Sequence, residues 1–333
     1  MLRNKNIQKF IFVVLCYLCT TATAFSDEIR LIGASQYDKD HIYGQIIRYF
    51  GYRIRENYNK PININFHHKD YNSLGAEKDF AVLMYRNLLD FAIIAPSHAS
   101  NISKEGAFLD TPFLFKDHKH WERVINSGVF NPIVDLMLKK NIRVVGFAGG
   151  ATRNIFSVIE KKIETTADLK EVGIRVMNSQ IQTDVFKAIN MKPRPMPYNK
   201  IKYYLENRSI LAAENEATGV SEHTDIAPNV TLTMHSITVR PICFSESRFK
   251  KLPLDLQAAI LKAGKETAKW ARETESFLDQ DRLQHLVDNN VITVHDFSER
   301  DKLFELVAPV KEKYAKELEV EEVLKAVNEL IGK

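Results

Sequence analysis

Cysteine is scarce in this chain. Three occur in 333 residues, at Cys16, Cys19 and Cys243, and the first two sit in an amino-terminal stretch unlike the rest. MLRNKNIQK is basic, FIFVVLCYLC is apolar and TTATA is a run of small residues. That is the three-part pattern of a secretory signal peptide, with cleavage expected after Ala24. The apolar run is about ten residues against roughly 20 for a bilayer span, which argues against an uncleaved anchor. Small residues of the kind that precede a lipid-modified cysteine are missing before Cys16 and Cys19. Once the leader is gone Cys243 is alone, so an intramolecular disulfide is excluded and the cores must stabilise the fold. No second segment is long and apolar enough to span a membrane. The expected product is a soluble protein of the periplasm.

Charge of one sign is also in short supply. The formal charge of +4 loses Arg3, Lys5 and Lys9 with the leader and falls to +1. No basic stripe remains for a nucleic acid. Enzyme signatures are missing: there is no G-x-S-x-G, no P-loop, no G-x-G-x-x-G and no H-E-x-x-H. The one C-x-x-C lies in the leader. HHKD (His67 to Asp70) and DHKH (Asp117 to His120) place His and Asp close in sequence, but metal sites gather ligands from separated segments around a fixed first shell. Both read as polar loops, and neither a metal nor a cofactor is expected. Low-complexity tracts and internal repeats are absent as well.

What is present is ordinary globular composition, 45% hydrophobic and 26% charged, with length enough for two lobes. EIRLIGAS alternates as a strand, HIYGQIIRYFGYRIRENYN has helical spacing, and PININFHH alternates again. AEKDFAVLMYRNL reads as a helix and LDFAIIA (Leu89 to Ala95) as a buried strand. HWERVINSGVFNPIVDLMLKKN is helical with a break near Gly128, and IRVVGFAGG (Ile142 to Gly150) is a strand. A second rhythm begins at Arg153: strand NIFSVIE, a capped turn TTADLKEV, strand GIRVM and helix SQIQTDVFKAIN. KPRPMP is extended, since Pro cannot sit in a helix interior. YNKIKYYLEN is helical, SILAAEN and HSITVRPICFS return to strand, and one very long helix follows Leu252-Pro253. VITVHDF is a last strand before a terminal amphipathic helix from about Ala308 to Leu330.

Strands alternating with helices imply an α/β fold with mainly parallel sheets covered on both faces. With no flexible linker, two lobes joined by crossing strands and the long helix are expected. The reading assigns 1–24 to the leader, 25–150 with about 239–280 to lobe I, and 151–238 with about 281–333 to lobe II.

Arg175 sits in GIRVM between Ile174 and Val176, where a guanidinium is costly unless something pairs with it. Arg153 follows a strand and a Gly pair, and Asn215 ends ILAAEN. Ligands of open α/β sheets collect outside the carboxyl ends of strands. Arg, Arg and Asn at such ends describe an anion site, since a guanidinium grips a carboxylate through two parallel hydrogen bonds. The alternative is an arginine paired with an internal Glu or Asp.

The order of NSLG (Asn72 to Gly75), LLDFAI, DTPFLF (Asp110 to Phe115), TRN, ADLKEVGIRVMNS, KPRPMPYNKIKYYL, AAEN and KLPLDLQAAI is itself informative. Almost end to end, the mature chain resembles the solute-binding proteins of tripartite ATP-independent periplasmic (TRAP) transporters. The resemblance implies a two-lobed periplasmic-binding-protein-like fold with a central cleft and a long helix spanning both lobes. It implies a non-enzymatic protein that captures an organic acid and delivers it to a membrane permease. Arg175 matches the arginine that clamps the substrate carboxylate, Asn215 the asparagine beside it, and Arg153 a second basic contact. Tyr198 falls where the family often has an aromatic, either packed on the ligand or a core residue at a helix start. A monomer is expected.

Three departures stand out. Glu171 and Asn87 replace glycines common in the family, and Glu216 replaces a proline. Glu216 is read as solvated, the alternative being a contact to an amine or hydroxyls of the ligand. Two other functions remain open on sequence: a periplasmic hydrolase or lyase holding an acidic substrate, and a ligand-sensing module for a receptor.

Overall fold

The computed structural model describes residues 28–68, 75, 77–100 and 102–333. The leader, most of NSLG, and Lys69 and Asp70 of HHKD lie outside the described residues. The strands are β1 (Ile29–Ser35), β2 (Ile62–His68), β3 (Phe91–Ile93), β4 (Ile142–Ser157), β5 (Gly173–Val176), β6 (Lys192–Pro195), β7 (Ala212–Asn215), β8 (Asn229–Ser245) and β9 (Thr293–Asp296). They form one sheet in the order β2-β1-β3-β8-β4-β7-β5-β6, with β9 beside β8.

The sheet is parallel at its flanks and antiparallel at its centre. β1 runs parallel to β2 and β3, and β5 runs parallel to β6 and β7. β8 is antiparallel to β3 and β4, and β4 is antiparallel to β7. The expectation of mainly parallel sheets is thus corrected at the centre. IRVVGFAGG and NIFS, read as two strands, are one strand of 16 residues. Its register against β8 shifts between Gly149 and Thr152. Gly149 (φ 118) and Gly150 (φ 110) occupy backbone space closed to residues with a side chain, and a Cβ on Gly149 would lie 2.1 Å from the Thr238 carbonyl oxygen. Thr238 Oγ1 accepts from the N–H groups of Gly150 and Ala151, both at 3.1 Å, so the kink leaves neither orphaned.

Helix Ile42–Tyr58 buries Tyr43, Ile46, Ile47, Phe50 and Ile54, the helical spacing read from its sequence. It packs on helix Leu254–Asp288, whose 35 residues span about 50 Å at 1.5 Å per residue. The buried stripe of that helix is apolar from Leu256 to Ala271 except at Thr267, and then changes character, to Glu275 and Asp279, where it meets the kink of β4. Close approach is set by Gly264, where a Cβ would sit 2.4 Å from the Val145 carbonyl oxygen.

One apolar core lies under β1–β3 and the first part of the long helix, and a second lies around Phe156, Ile201, Leu205 and Val230. A third runs through both halves, from Phe108, Phe113 and Trp121 to Ile174, Val185, Leu303 and Val327. The terminal helix is also corrected. It begins at Arg300, carries Pro309 inside, ends at Glu317 and restarts as Glu321–Glu329, the break holding Glu319 at φ 57. Arg300 donates to the carbonyls of Lys116, Thr233 and Met234, fastening this helix to two separate segments.

Candidate functional site

A cavity of about 470 Å³ opens beside the kinked centre of the sheet, and Arg153, Arg175, Tyr198 and Asn215 all line it. Arg175 lies in β5 with Ala213 of β7 opposite, and Asn215 ends β7. The two parallel strands therefore deliver both side chains at their carboxyl ends. Arg153 reaches the same wall differently: it lies inside β4, three residues past Gly150, with Asn154 opposite Asn215.

Arg175 is 3% exposed. Its Nε and Nη2 donate to the Met196 carbonyl oxygen at 3.1 and 2.9 Å. That carbonyl belongs to the KPRPMP segment, which its prolines hold extended. Among the described residues no carboxylate forms a salt bridge with Arg175. Burial pulls its guanidinium down to about 10, against an attraction from Glu214. Three of its five N–H groups are unassigned, both on Nη1 included. The Tyr198 ring lies 5.8 Å from its central carbon, and the phenol donates to Glu222 at 2.7 Å, which fixes the ring at the wall.

Arg153 is the opposite case. Its Nε and Nη2 grip Glu214 at 2.7 and 3.0 Å, Nη2 also reaches the Glu214 carbonyl, and Nη1 donates to Glu216 at 2.6 Å. Four of its five N–H groups are taken. Burial alone would raise the Glu214 carboxyl, but Arg153 and His235 outweigh it and hold it down to about 2. His235 Nε2 is 3.2 Å from Glu214, and burial keeps the imidazole neutral.

Glu216 corrects the sequence reading. It is not solvated: its side chain is 13% exposed and bridges two guanidinium groups, Arg153 and Arg240. Burial works against its charge, and Arg240 and Arg153 together hold the carboxyl below its ordinary range. Arg240 in turn donates to Glu275 at 2.7 Å and to the Tyr43 hydroxyl, and its guanidinium lies 4.5 Å from the Tyr43 ring centre. The result is one buried chain, Glu214–Arg153–Glu216–Arg240–Glu275.

Asn215 Oδ1 accepts from the Glu216 N–H at 3.0 Å, and its Nδ2 has no partner among the described residues. Gly219 stands against that amide; a Cβ there would lie 1.9 Å from Nδ2. Asp110, from DTPFLF, also lines the cavity, accepting from Ser97 Oγ at 2.6 Å and from Gln182 Nε2 at 3.3 Å. Burial pushes its carboxyl up.

DHKH has structural work. Asp117 caps helix His118–Ser127 by accepting from the His120 N–H, His118 Nε2 meets Thr152 Oγ1, and His120 Nε2 meets the Val327 carbonyl. Sequence reasoning missed Arg240, Glu214 and Asp110. Arg240 carried the same signal as Arg175, a lone guanidinium in an apolar strand, here TVRPICF.

Residues 33–317 match the family described as bacterial extracellular solute-binding protein, family 7. A solute-binding protein of Sulfitobacter sp. is 38% identical over 311 residues, covering 92% of this chain and 93% of that protein. A TRAP periplasmic solute-binding protein from Sulfitobacter sp., solved with bound alpha-D-taluronate, superposes with a TM-score of 0.83 at 38% identity, over 90% of this chain and 97% of the other. One from Chromohalobacter salexigens, solved with D-glucuronate, gives a TM-score of 0.82 at 21% identity over 90% and 99%, a likeness of fold. Among the described residues no helix is long and apolar enough to cross a membrane. The chain belongs to the family 7 extracellular solute-binding proteins, the periplasmic components that capture an organic acid for a TRAP permease, and is not an enzyme.

Proposed function

We propose that the cavity seats a sugar acid of the uronate class, its carboxylate on Arg175. The observation that carries this reading is a buried guanidinium held by a carbonyl, with no carboxylate against it, at the wall of a cavity. An anion completes it: the planar fork accepts a carboxylate through two parallel bonds, and a dry site strengthens the attraction. Asn215 Nδ2 and the last N–H of Arg153 donate to the same carboxylate, and the Tyr198 ring flanks it. Asp110 and Ser97 supply polar partners for hydroxyl groups. The volume falls within the roughly 300–1,000 Å³ of small-molecule sites. The Sulfitobacter relative, at 38% identity, was solved with taluronate.

Closure over the ligand turns on the crossing strands. The unit boundaries 150/151 and 238/239 fall where Thr238 Oγ1 receives the N–H groups of Gly150 and Ala151, and a ligand touching both units favours the closed state. The leader is removed after Ala24 on export, so amino-terminal sequencing of the exported protein should begin at Phe25; retention of Met1 would sink that assignment.

Isothermal calorimetry of wild type and Arg175→Ala against D-glucuronate and D-taluronate tests the carboxylate assignment. Removing one side of a buried charge pair costs roughly 2–5 kcal/mol, which at about 1.4 kcal/mol per decade is well over tenfold in affinity. Unchanged affinity would reject Arg175 as the clamp.

A further inference from the structure

Three arginines line the cavity, and among the described residues Arg175 alone of the three has no carboxylate partner. A pocket with three available guanidinium groups would suit a dianion or trianion. This one is arranged otherwise. Glu216 accepts from Arg153 Nη1 at 2.6 Å through Oε2 and from Arg240 Nη2 at 2.9 Å through Oε1, so a single carboxylate occupies the facing edges of both. Arg153 is further neutralised by Glu214 and Arg240 by Glu275. The acids around the cavity, Asp110 and Glu222, lie against hydroxyl or amide donors and not against cations.

We infer that Glu216, by clasping Arg153 and Arg240 together, restricts the cavity to acids with one carboxylate and excludes those with a second. This deepens the sugar-acid reading and rests on it. A second ligand carboxylate would enter a site whose other two arginines are already matched, and whose wall sets Asp110, Glu216 and Glu222 beside Lys78, His41 and His98. An unpaired buried charge is costly. A terminal hydroxymethyl group carries no such penalty and finds oxygen acceptors instead. By occupying Arg153 and Arg240 together, the Glu216 carboxylate sets which acids enter, while Arg175 provides the grip they share.

The test uses matched pairs that differ only at one end: D-gluconate against D-glucarate, and butyrate against succinate. Calorimetry and thermal shift are run on the full mature chain and on Glu216→Gln. Wild type should prefer each monoacid by about tenfold or more, and Glu216→Gln should shrink that ratio at least about tenfold, by releasing Arg153 and Arg240. A wild type that binds glucarate or succinate as tightly as its partner overturns the inference, as does a ratio unmoved in Glu216→Gln. If Glu216→Gln does not fold, Arg240→Met keeps Glu216 on Arg153 and should hold or widen the monoacid preference; its collapse overturns the inference. Binding confined to butyrate, with the monoacid ranking intact, would remove the sugar-acid reading and leave the role of Glu216 standing. No shift with any acid would end both.

Discussion

Arg175 and Arg153 are buried against the same cavity, on strands separated by one intervening strand, and they do different things. Arg153 has three N–H groups on two carboxylates and a fourth on the Glu214 carbonyl, whereas Arg175 has two on a single carbonyl. The first is mostly committed to the scaffold, with one N–H left over, and the second keeps three N–H groups unassigned. Burial pulls Arg175 down to about 10, while Glu214 and Glu216 raise Arg153 beyond its ordinary value against the same burial. Residue type and depth are shared by the two arginines; what each already holds is what separates them.

The sharpest way to break this comparison is to remove each arginine in turn and measure stability instead of binding. Arg153→Met leaves Glu214 and Glu216 buried, the first with only His235 and the second with only Arg240. Breaking a buried pair from one side costs roughly 3–5 kcal/mol, and a large fall in urea midpoint is expected. Arg175→Met removes a buried charge with no carboxylate to strand, so its midpoint should change little while ligand affinity falls. Equal losses of stability would erase the distinction.

The carboxyls divide in the same way, and pH separates them. Glu214 is held down to about 2, so its contribution is complete above the ordinary value of 4.5 and is lost as pH falls from there toward 2. Asp279, on the long helix, accepts from the N–H groups of Thr152 at 2.9 Å and Ala217 at 2.8 Å, forms no salt bridge among the described residues, and burial pushes it up to about 7. The folded state then holds a proton that the unfolded chain has released, so stability declines as pH rises from about 4 to 7. Asp279→Asn should flatten that slope, measured by urea unfolding at pH 4, 5.5 and 7. An unchanged slope would show that the charge of Asp279 is met by something else.

Much of this was readable in the sequence. Apolar periodicity located the strands and the helix after Leu252-Pro253, because each buries one regular face. The continuity of β4 was hidden, since a glycine pair reads as an end when it is a kink whose N–H groups are met by Thr238, 88 residues away. Glu216 looked solvated because its neighbours in sequence are polar or small, whereas its partners come from β4 and β8. The split of the terminal helix escaped for a similar reason: Leu318 to Val320 continue the apolar spacing, and the left-handed turn at Glu319 interrupts it.

The two positions where this chain lacks a glycine common in the family offer the smallest test. Asn87 and Glu171 both adopt left-handed backbone, φ 57 and 65. Asn tolerates that region, while Glu holds it at a cost of about 1–2 kcal/mol relative to right-handed geometry. The conformation at 171 is imposed by its surroundings: the Glu171 N–H donates to the Asn190 carbonyl at 2.8 Å just before β5 begins. Glycine adopts it freely but loses more entropy on folding and gives up the exposed pair with Lys192, which contributes little. Glu171→Gly should therefore stabilise the chain by about 1 kcal/mol or slightly less, read as a small rise in melting temperature, with affinity for the acid unchanged. A fall in melting temperature would mean that the Lys192 pair, not the turn, governs position 171, and that the register of Arg175 does not depend on relieving strain two residues before its strand.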